Sequence, residues 1–282
     1  MRPLRVLGFG DNTIDSYVDL GRQFPGGNAV NVAVLMRRMG AQAGYLGCIG
    51  NDAAGTFLQQ ALLAEGLDLS RCRHPDGPNA RAFIAHNQGD RRFIRSEKGM
   101  RGAWGGFTPD DLAYISGFDL VHSSIYSELD DHLPHLRRQI RHLSFDFSER
   151  WNDDALARLL PLIDSAFLSA PRGSDEDCEA LLRRCAGLGP ADVVITRGVR
   201  GAMALCDGDL ATCQPIPVNV VDTLGAGDAF IAAYLITRHE GLPLAQCLHR
   251  AAHAAAEACT SYGAFGHGAD WVQPHTEFAH VT

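Results

Sequence analysis

Asp222-Thr223-Leu224-Gly225-Ala226-Gly227-Asp228 runs directly into Ala229-Phe230-Ile231-Ala232-Ala233-Tyr234-Leu235-Ile236. A glycine-bearing turn opens onto an apolar segment that reads as a buried helix. Gly225 and Gly227 let the backbone turn tightly and come close to a ligand. The first N–H groups of such a helix lack intrahelical partners and lie at the positive end of its dipole, which suits a phosphate or a developing anion. Asp228 falls in the first turn. A carboxylate there can take a proton from an alcohol while the N–H groups of Ala226 and Gly227 hold a transferring phosphoryl group. The preceding run Val218-Asn219-Val220-Val221 reads as a strand, which puts the turn at a strand end, where α/β folds bind ligands. An Asp in a first turn also simply improves a cap. Two carboxylates, Asp222 and Asp228, around one anion site favour chemistry over capping.

A second constellation lies near the N-terminus, in Phe24-Pro25-Gly26-Gly27-Asn28-Ala29-Val30-Asn31-Val32-Ala33. Gly26 and Gly27 allow close backbone approach. Asn28 and Asn31, three apart at a helix start, face one ligand. Amides that donate and accept, with Asp11 accepting, match the hydroxyls of a sugar. Asp15 is a further candidate of the same kind. Read from the residues alone, Asn28 serves equally well as a helix cap, with Asn31 on the surface. A third segment, Thr196-Arg197-Gly198-Val199-Arg200-Gly201, follows an apolar strand. Thr196, Gly198 and Gly201 suit contact with nucleotide phosphate or ribose, and a plain hairpin turn has the same look. Arg197 reads as a cationic clamp or as a solvated side chain.

The Asp222–Asp228 stretch resembles the C-terminal signature of the ribokinase-like (PfkB) carbohydrate kinases, and the Phe24–Ala33 stretch resembles their N-terminal one. The likeness runs from about residue 4 to about residue 266. Gly10-Asp11-Asn12, Val121-His122-Ser123-Ser124-Ile125, Phe145-Asp146-Phe147-Ser148 and Ser169-Ala170-Pro171 are most similar to the fructoselysine 6-kinases within that family. The resemblance implies a three-layer α/β/α fold, ATP with Mg²⁺, and Asp228 as the base that deprotonates a sugar hydroxyl. It gives Thr223 and Asp222 a part in organising phosphate, with backbone near Asp222 holding a monovalent cation such as K⁺. It also implies a small β lid that in relatives often pairs two subunits. The chain departs from the family at the magnesium region. Ser169-Ala170-Pro171-Arg172-Gly173-Ser174-Asp175-Glu176 stands where relatives carry an Asn-x-x-Glu motif, so no metal ligand is assigned. Asp175 or Glu176 reads equally as a partner of Mg²⁺-bound water or as a helix cap.

The 282 residues are 46% hydrophobic and 21% charged, with a net charge of −8. This suits one α/β domain and disfavours nucleic acid as a partner. Met1-Arg2-Pro3 leads straight into a strand-like run, no stretch has membrane-spanning length, and the eight cysteines are scattered. The expected location is therefore cytoplasmic, with reduced thiols. Strands are expected at 4–10, 45–50, 118–125, 143–147, 166–169 and 193–196, and helices at about 28–39 and 54–65. Regular alternation after residue 117 implies a parallel sheet with crossover helices. Segments 12–25 and 79–100, the second a hairpin turning at 87–90, form the expected lid. The tail after Gly266 reads as a surface extension. That hairpin carries Arg91, Arg92, Arg95 and Lys98 against Asp90 and Glu97, a balance that favours an α-carboxylate or an acidic or neutral conjugate if the lid closes over the ligand, and that reads equally as a solvated hairpin. His249 and His253 have a metal-like spacing without an accompanying glutamate.

The reading is a kinase transferring the ATP γ-phosphoryl group to a primary hydroxyl of a small carbohydrate, specifically the 6-hydroxyl of a fructosamine. The alternatives are a ketose, ribose or nucleoside kinase, or an inactive sugar-binding regulator on the same scaffold.

Overall fold

The computed structural model describes residues 2–87 and 90–271, without the side chains of residues 86, 87, 90 and 91. The turn tip at 88–89, the side chains of Asp90 and Arg91, and the tail from 272 onward lie outside the described residues.

In chain order the elements are β1 (Arg5–Gly10), β2 (Thr13–Tyr17), β3 (Arg22–Gly26), α1 (Asn28–Arg38), β4 (Gln42–Gly47), α2 (Ala53–Ala64), β5 (Arg81–Asn87), β6 (Asp90–Glu97), α3 (Pro109–Ser116), β7 (Leu120–Ser124), α4 (Leu133–Leu136), β8 (Leu143–Asp146), α5 (Asp153–Leu159), β9 (Ser165–Ser169), α6 (Asp175–Ala186), β10 (Asp192–Thr196), β11 (Ala202–Cys206), β12 (Asp209–Cys213), α7 (Ala226–His239), α8 (Leu244–Ala258) and β13 (Ala269–Asp270). The main sheet runs β12-β11-β10-β9-β8-β7-β1-β4. Its strands are parallel from β4 through β10, and β11 and β12 close it as antiparallel edge strands. One face buries α1, α2, α7 and α8 around Val30, Met36, Leu58, Tyr234 and Leu248. The other buries α3 to α6 around Ile115, Leu136, Leu159 and Leu182. Strands covered on both faces need continuous apolar runs, which is how Val193-Val194-Ile195 and Ala166-Phe167-Leu168 read. A second sheet, β13-β3-β2-β5-β6, stands off the carboxyl end of β1.

Two expectations shift. The second strand of the main sheet is 42–47, not 45–50; beyond Gly47 the chain leaves the ladder, and Gly50 N–H donates to Asn79 Oδ1. The run Val218-Asn219-Val220-Val221 is not a strand. Its valines are exposed, and among the described residues no strand pairs with it. β propensity without a neighbour or a buried face does not make a strand. The signature turn is therefore delivered by an irregular segment, tied down where Val221 and Asp222 donate their N–H groups to Cys259 O at 2.8 and 3.3 Å.

Candidate active site

Six parallel strands end on one side of the sheet, and the polar residues of the site cluster there. Asp11 directly follows β1, Ser124 closes β7 with Ser127 in the turn beyond, and Asp146 closes β8. α7 brings Asp228 to this edge because it packs along α1.

Asp228 occupies the first turn of α7, whose cap is Gly225 in the left-handed conformation, φ 79°. A Cβ on Gly225 would lie 2.5 Å from Ala264 Cβ, so the position is closed by backbone conformation and by packing. Gly227 differs. Its φ lies outside the left-handed region, it is exposed, and a Cβ there would meet nothing within 4 Å. The N–H of Ala226 donates within the turn, to Thr223 O at 3.3 Å. The anion-holding role expected of Ala226 and Gly227 together thus narrows to the open side at Gly227. Asp222 is buried and faces inward. Tyr17 Oη donates to its Oδ2, and the N–H groups of Leu224 and Gly263 donate to Oδ1 and Oδ2 at 3.0 and 3.3 Å. It holds the turn and joins it to β2. Thr223 is exposed at the outer side of the turn.

Asn28 and Asn31 grip Asp228. Asn28 Nδ2 donates to Oδ1 at 2.7 Å and Asn31 Nδ2 to Oδ2 at 2.6 Å. Neither half of the capping alternative survives. The cap residue of α1 is Gly27, which makes no side-chain cap bond, and Asn31 is only 4% exposed. The helix start is capped from a distance instead. Asp11 accepts from Asn28 N at 2.6 Å and Ala29 N at 3.3 Å, and also from the hydroxyls of Ser124 and Ser127 at 2.7 and 3.0 Å. Four donors engage this carboxylate, which ties the start of α1 to the end of β7. Gly26 and Gly27 are small for the protein's own sake. A Cβ on Gly27 would lie 2.5 Å from Asn12 Cα, and one on Gly26 would run into Asp15 Oδ2. Asp15 is buried on β2 behind that glycine.

Three residues absent from the sequence candidates complete the constellation. Asn28 Nδ2 also donates to Asp146 Oδ2 at 2.8 Å. Asn28 Oδ1 lies 2.9 Å from His122 Nε2, and His122 Nδ1 lies 2.9 Å from Ser144 Oγ. Burial pushes the His122 imidazole down to about 3, so the ring is neutral. An amide oxygen only accepts, so Nε2 carries the proton and Ser144 donates to Nδ1. Burial first, then the charges of Asp228 and Asp11, push Asp146 up to about 7 against the pull of the Ser148 N–H and Asn28. The available signal was polar side chains at the carboxyl ends of apolar parallel strands, in Val121-His122-Ser123-Ser124 and Phe145-Asp146.

The Thr196–Gly201 segment lies at the same edge, after β10. Adjacent strands are about 4.8 Å apart, which puts it roughly 10 Å across the sheet from Asp146. Gly198–Arg200 forms a single 3-10 turn with Val199 91% exposed. Gly198 has open space beside it, whereas a Cβ on Gly201 would strike Cys213 O. Arg197 is neither solvated nor a free clamp. It is buried, with Nη1 donating to Asp175 Oδ1 at 2.5 Å and Nη2 to Arg200 O at 2.9 Å. Arg200 reaches the same Asp175 oxygen. Asp175 is thereby occupied, and the cap of α6 is Ser174 in a capping box with Asp177, not Asp175 or Glu176. An open cleft of about 670 Å³ beside α6, lined by Trp151, Arg172 and Arg184 among others, includes none of the Asp228 constellation.

The pfkB family carbohydrate kinase profile matches residues 8–267. The chain belongs to that family. This kinase is 40% identical over 272 residues to the fructosamine kinase FrlD of Bacillus subtilis, covering 94% of each chain. It is 34% identical over 265 residues to the fructoselysine 6-kinase of Escherichia coli, covering 94% of this chain and all of the relative. Among solved structures, Arabidopsis thaliana ribokinase complexed with ribose and ATP superposes with a TM-score of 0.78 at 22% identity, over 94% of this chain and 95% of that one. A putative ribokinase II from E. coli in complex with ATP and Mg²⁺ gives the same TM-score at 21% identity, over 94% and 95%. The architecture is the ribokinase-like three-layer fold.

The charges expected on the hairpin are largely answered. Arg95 pairs with Glu97 at 2.8 Å and lies over the Phe83 ring, and Lys98 pairs with Glu128 at 2.5 Å. Glu128, one residue beyond Ser127, brings a carboxylate that inspection of the hairpin alone could not supply. Among the described residues no helix is long and apolar enough to cross a membrane.

Proposed function

We propose that this kinase transfers the γ-phosphoryl group of ATP to the 6-hydroxyl of a fructosamine, a fructoselysine-like sugar–amino-acid conjugate. The observation that carries the reaction is Asp228, held through both oxygens by Asn28 and Asn31 beside the exposed backbone of Gly227. Asp228 takes the hydroxyl proton as the sugar oxygen bonds to the γ-phosphorus. The bond to the β-phosphate oxygen breaks and ADP leaves. Such transfers depend on positioning and charge stabilisation more than on covalent participation by the protein. The Gly227 N–H at the head of α7 faces the developing charge. Thr196, Gly198 and Thr223 line the nucleotide's approach. Mg²⁺ brought in with the nucleotide would supply neutralisation of phosphate charge, keeping several of its waters. A monovalent cation near Asp222 would rest on backbone carbonyls, since three donors already engage the carboxylate and tie it to the turn.

The relatives support the fructosamine as substrate, and the hairpin charges are compatible with it. With Lys98 and Arg101 both beside Glu128, the rim offers both signs to the amino-acid end, so the lysine conjugate is not disfavoured. The second sheet is the proposed lid, linked to the signature turn through Tyr17 and Asp222. Its outer strand β6, with Phe93 exposed, is the proposed edge for pairing with a second copy; light scattering showing only monomer at working concentration would end that part. Eight scattered cysteines without a C-x-x-C pair suit a reducing cytoplasm.

The test is kcat/KM, by coupled ADP release, for fructoselysine, other fructose–amino-acid conjugates, fructose, ribose and nucleosides. The conjugates should exceed fructose by about tenfold or more, equivalent to about 1.4 kcal/mol of transition-state binding. A preference for ribose or a nucleoside would replace the substrate assignment. No turnover with any acceptor would favour the inactive regulator.

A further inference from the structure

The amide of Asn28 is shared between two carboxylates, and only one of them has a role in the reaction as described. One amide hydrogen points to Asp228 Oδ1 and the other to Asp146 Oδ2. The amide cannot be turned over. Its oxygen is held by the N–H of His122 Nε2, and a flip would aim that oxygen at both carboxylates. Ser144, on the strand that ends in Asp146, donates to His122 Nδ1 and holds the ring whose Nε2 proton meets the Asn28 oxygen. Asp146 is itself anchored through Oδ1 by the Ser148 N–H at 2.8 Å. The chain Ser144–His122–Asn28 thus sets the angle at which Asp146 and Asp228 face each other, using β7, β8, α1 and α7.

We propose that Asp146 is a positioning residue for the base, holding Asp228 in register through the shared Asn28 amide and acting in its ionised form. The inference rests on Asp228 being the base. An ionised Asp146 accepts the second Asn28 hydrogen and keeps the amide locked. Its negative charge also favours uptake of the substrate proton by its neighbour, as like charges do. Protonation of Asp146 weakens both effects. The groups facing it are Asp228 from α7, Asp11 after β1, Asn28 from α1 and, on its own loop, Ser148, whose hydroxyl accepts from Tyr126 Oη at 2.9 Å. Tyr126 in turn lies under the Arg150 guanidinium. With burial and two like charges against two hydrogen bonds, Asp146 changes charge near pH 7. The wild-type kcat should therefore rise with pH between about 6 and 8.

The experiment is the pH profile of kcat and of the sugar KM for wild type, Asp146→Asn, Ser144→Ala and Asp228→Asn. Asp146→Asn should lower kcat at pH 8 by about tenfold or more, leave KM within about threefold, and lose the rise between pH 6 and 8; the drop is of the size expected when a group that only orients a catalytic residue is lost. Ser144→Ala should lower kcat less while keeping the rise, because Asp146 is still there to titrate. A wild-type kcat and profile in Asp146→Asn overturns the proposal. So does a rise in KM with kcat unchanged, which would make Asp146 a substrate contact. If Asp146→Asn does not fold, a flat wild-type profile or an unchanged kcat in Ser144→Ala overturns it instead. Failure of the base assignment is separate: it requires Asp228→Asn to keep its rate.

Discussion

Asp228→Asn should lower kcat by about 10²–10⁴-fold, the usual cost of losing a general base, in a protein that still folds and binds ATP. The substitution keeps the size of the side chain and keeps an oxygen for Asn28 or Asn31. It replaces the other oxygen with an NH₂ group that faces a donor amide. Of the two asparagine bonds one is kept, at a partly exposed position, so the melting temperature should fall only modestly. Sugar affinity by calorimetry should change little. The asparagines offered at first as sugar contacts are both turned toward Asp228. A kcat close to wild type would remove Asp228 from the chemistry.

The second large effect separates the two glycines of the turn. Gly227→Val places a side chain on the open face where the phosphoryl group is expected, at a position with nothing within 4 Å and no left-handed backbone. Fold stability should hold, because valine is no worse than glycine in a helix. Catalysis should fall by about 10²–10³-fold, comparable to losing one donor of an anion hole. Gly225→Val should do the reverse in kind. Its φ of 79° and the Ala264 contact cost about 1–3 kcal/mol for the backbone conformation alone, so its melting temperature should drop first. Thermal melts beside steady-state kinetics check the pair. A Gly227→Val protein that is unstable, with kcat and sugar affinity lost in proportion, would make Gly227 structural.

The sequence made the architecture readable because apolar parallel strands separated by helices leave few other arrangements, and because glycines at 40 and 66 mark helix ends. It misplaced the valines at 218–221, since strand formation depends on a neighbour that composition does not reveal. Asp228 was readable from its turn. Asn28 and Asn31 were readable as site residues but not for what they hold, because their partner lies 200 and 197 residues away. Asp11 is readable as a site residue, but its four donors come from two distant segments, the start of α1 and the end of β7, which sequence alone does not bring together. Asp146 and His122 are hard to single out because one polar residue in or at the end of a short apolar strand is only a weak local signal. Only the order β1-β7-β8 beside α1 makes them neighbours. Sequence does not decide between clamp and solvent for Arg197, because its partner Asp175 sits at the start of α6, 22 residues away.

The most direct test is NMR of the product formed from ATP and fructoselysine carrying ¹³C at C6. Transfer through Asp228 to the primary hydroxyl predicts a C6 resonance split by coupling to ³¹P, appearing with ADP in equal amounts, and absent over the same period with Asp228→Asn. Phosphate on another carbon, ADP release without a phosphorylated sugar, or the same split resonance forming at the same rate in the Asn variant would contradict the account.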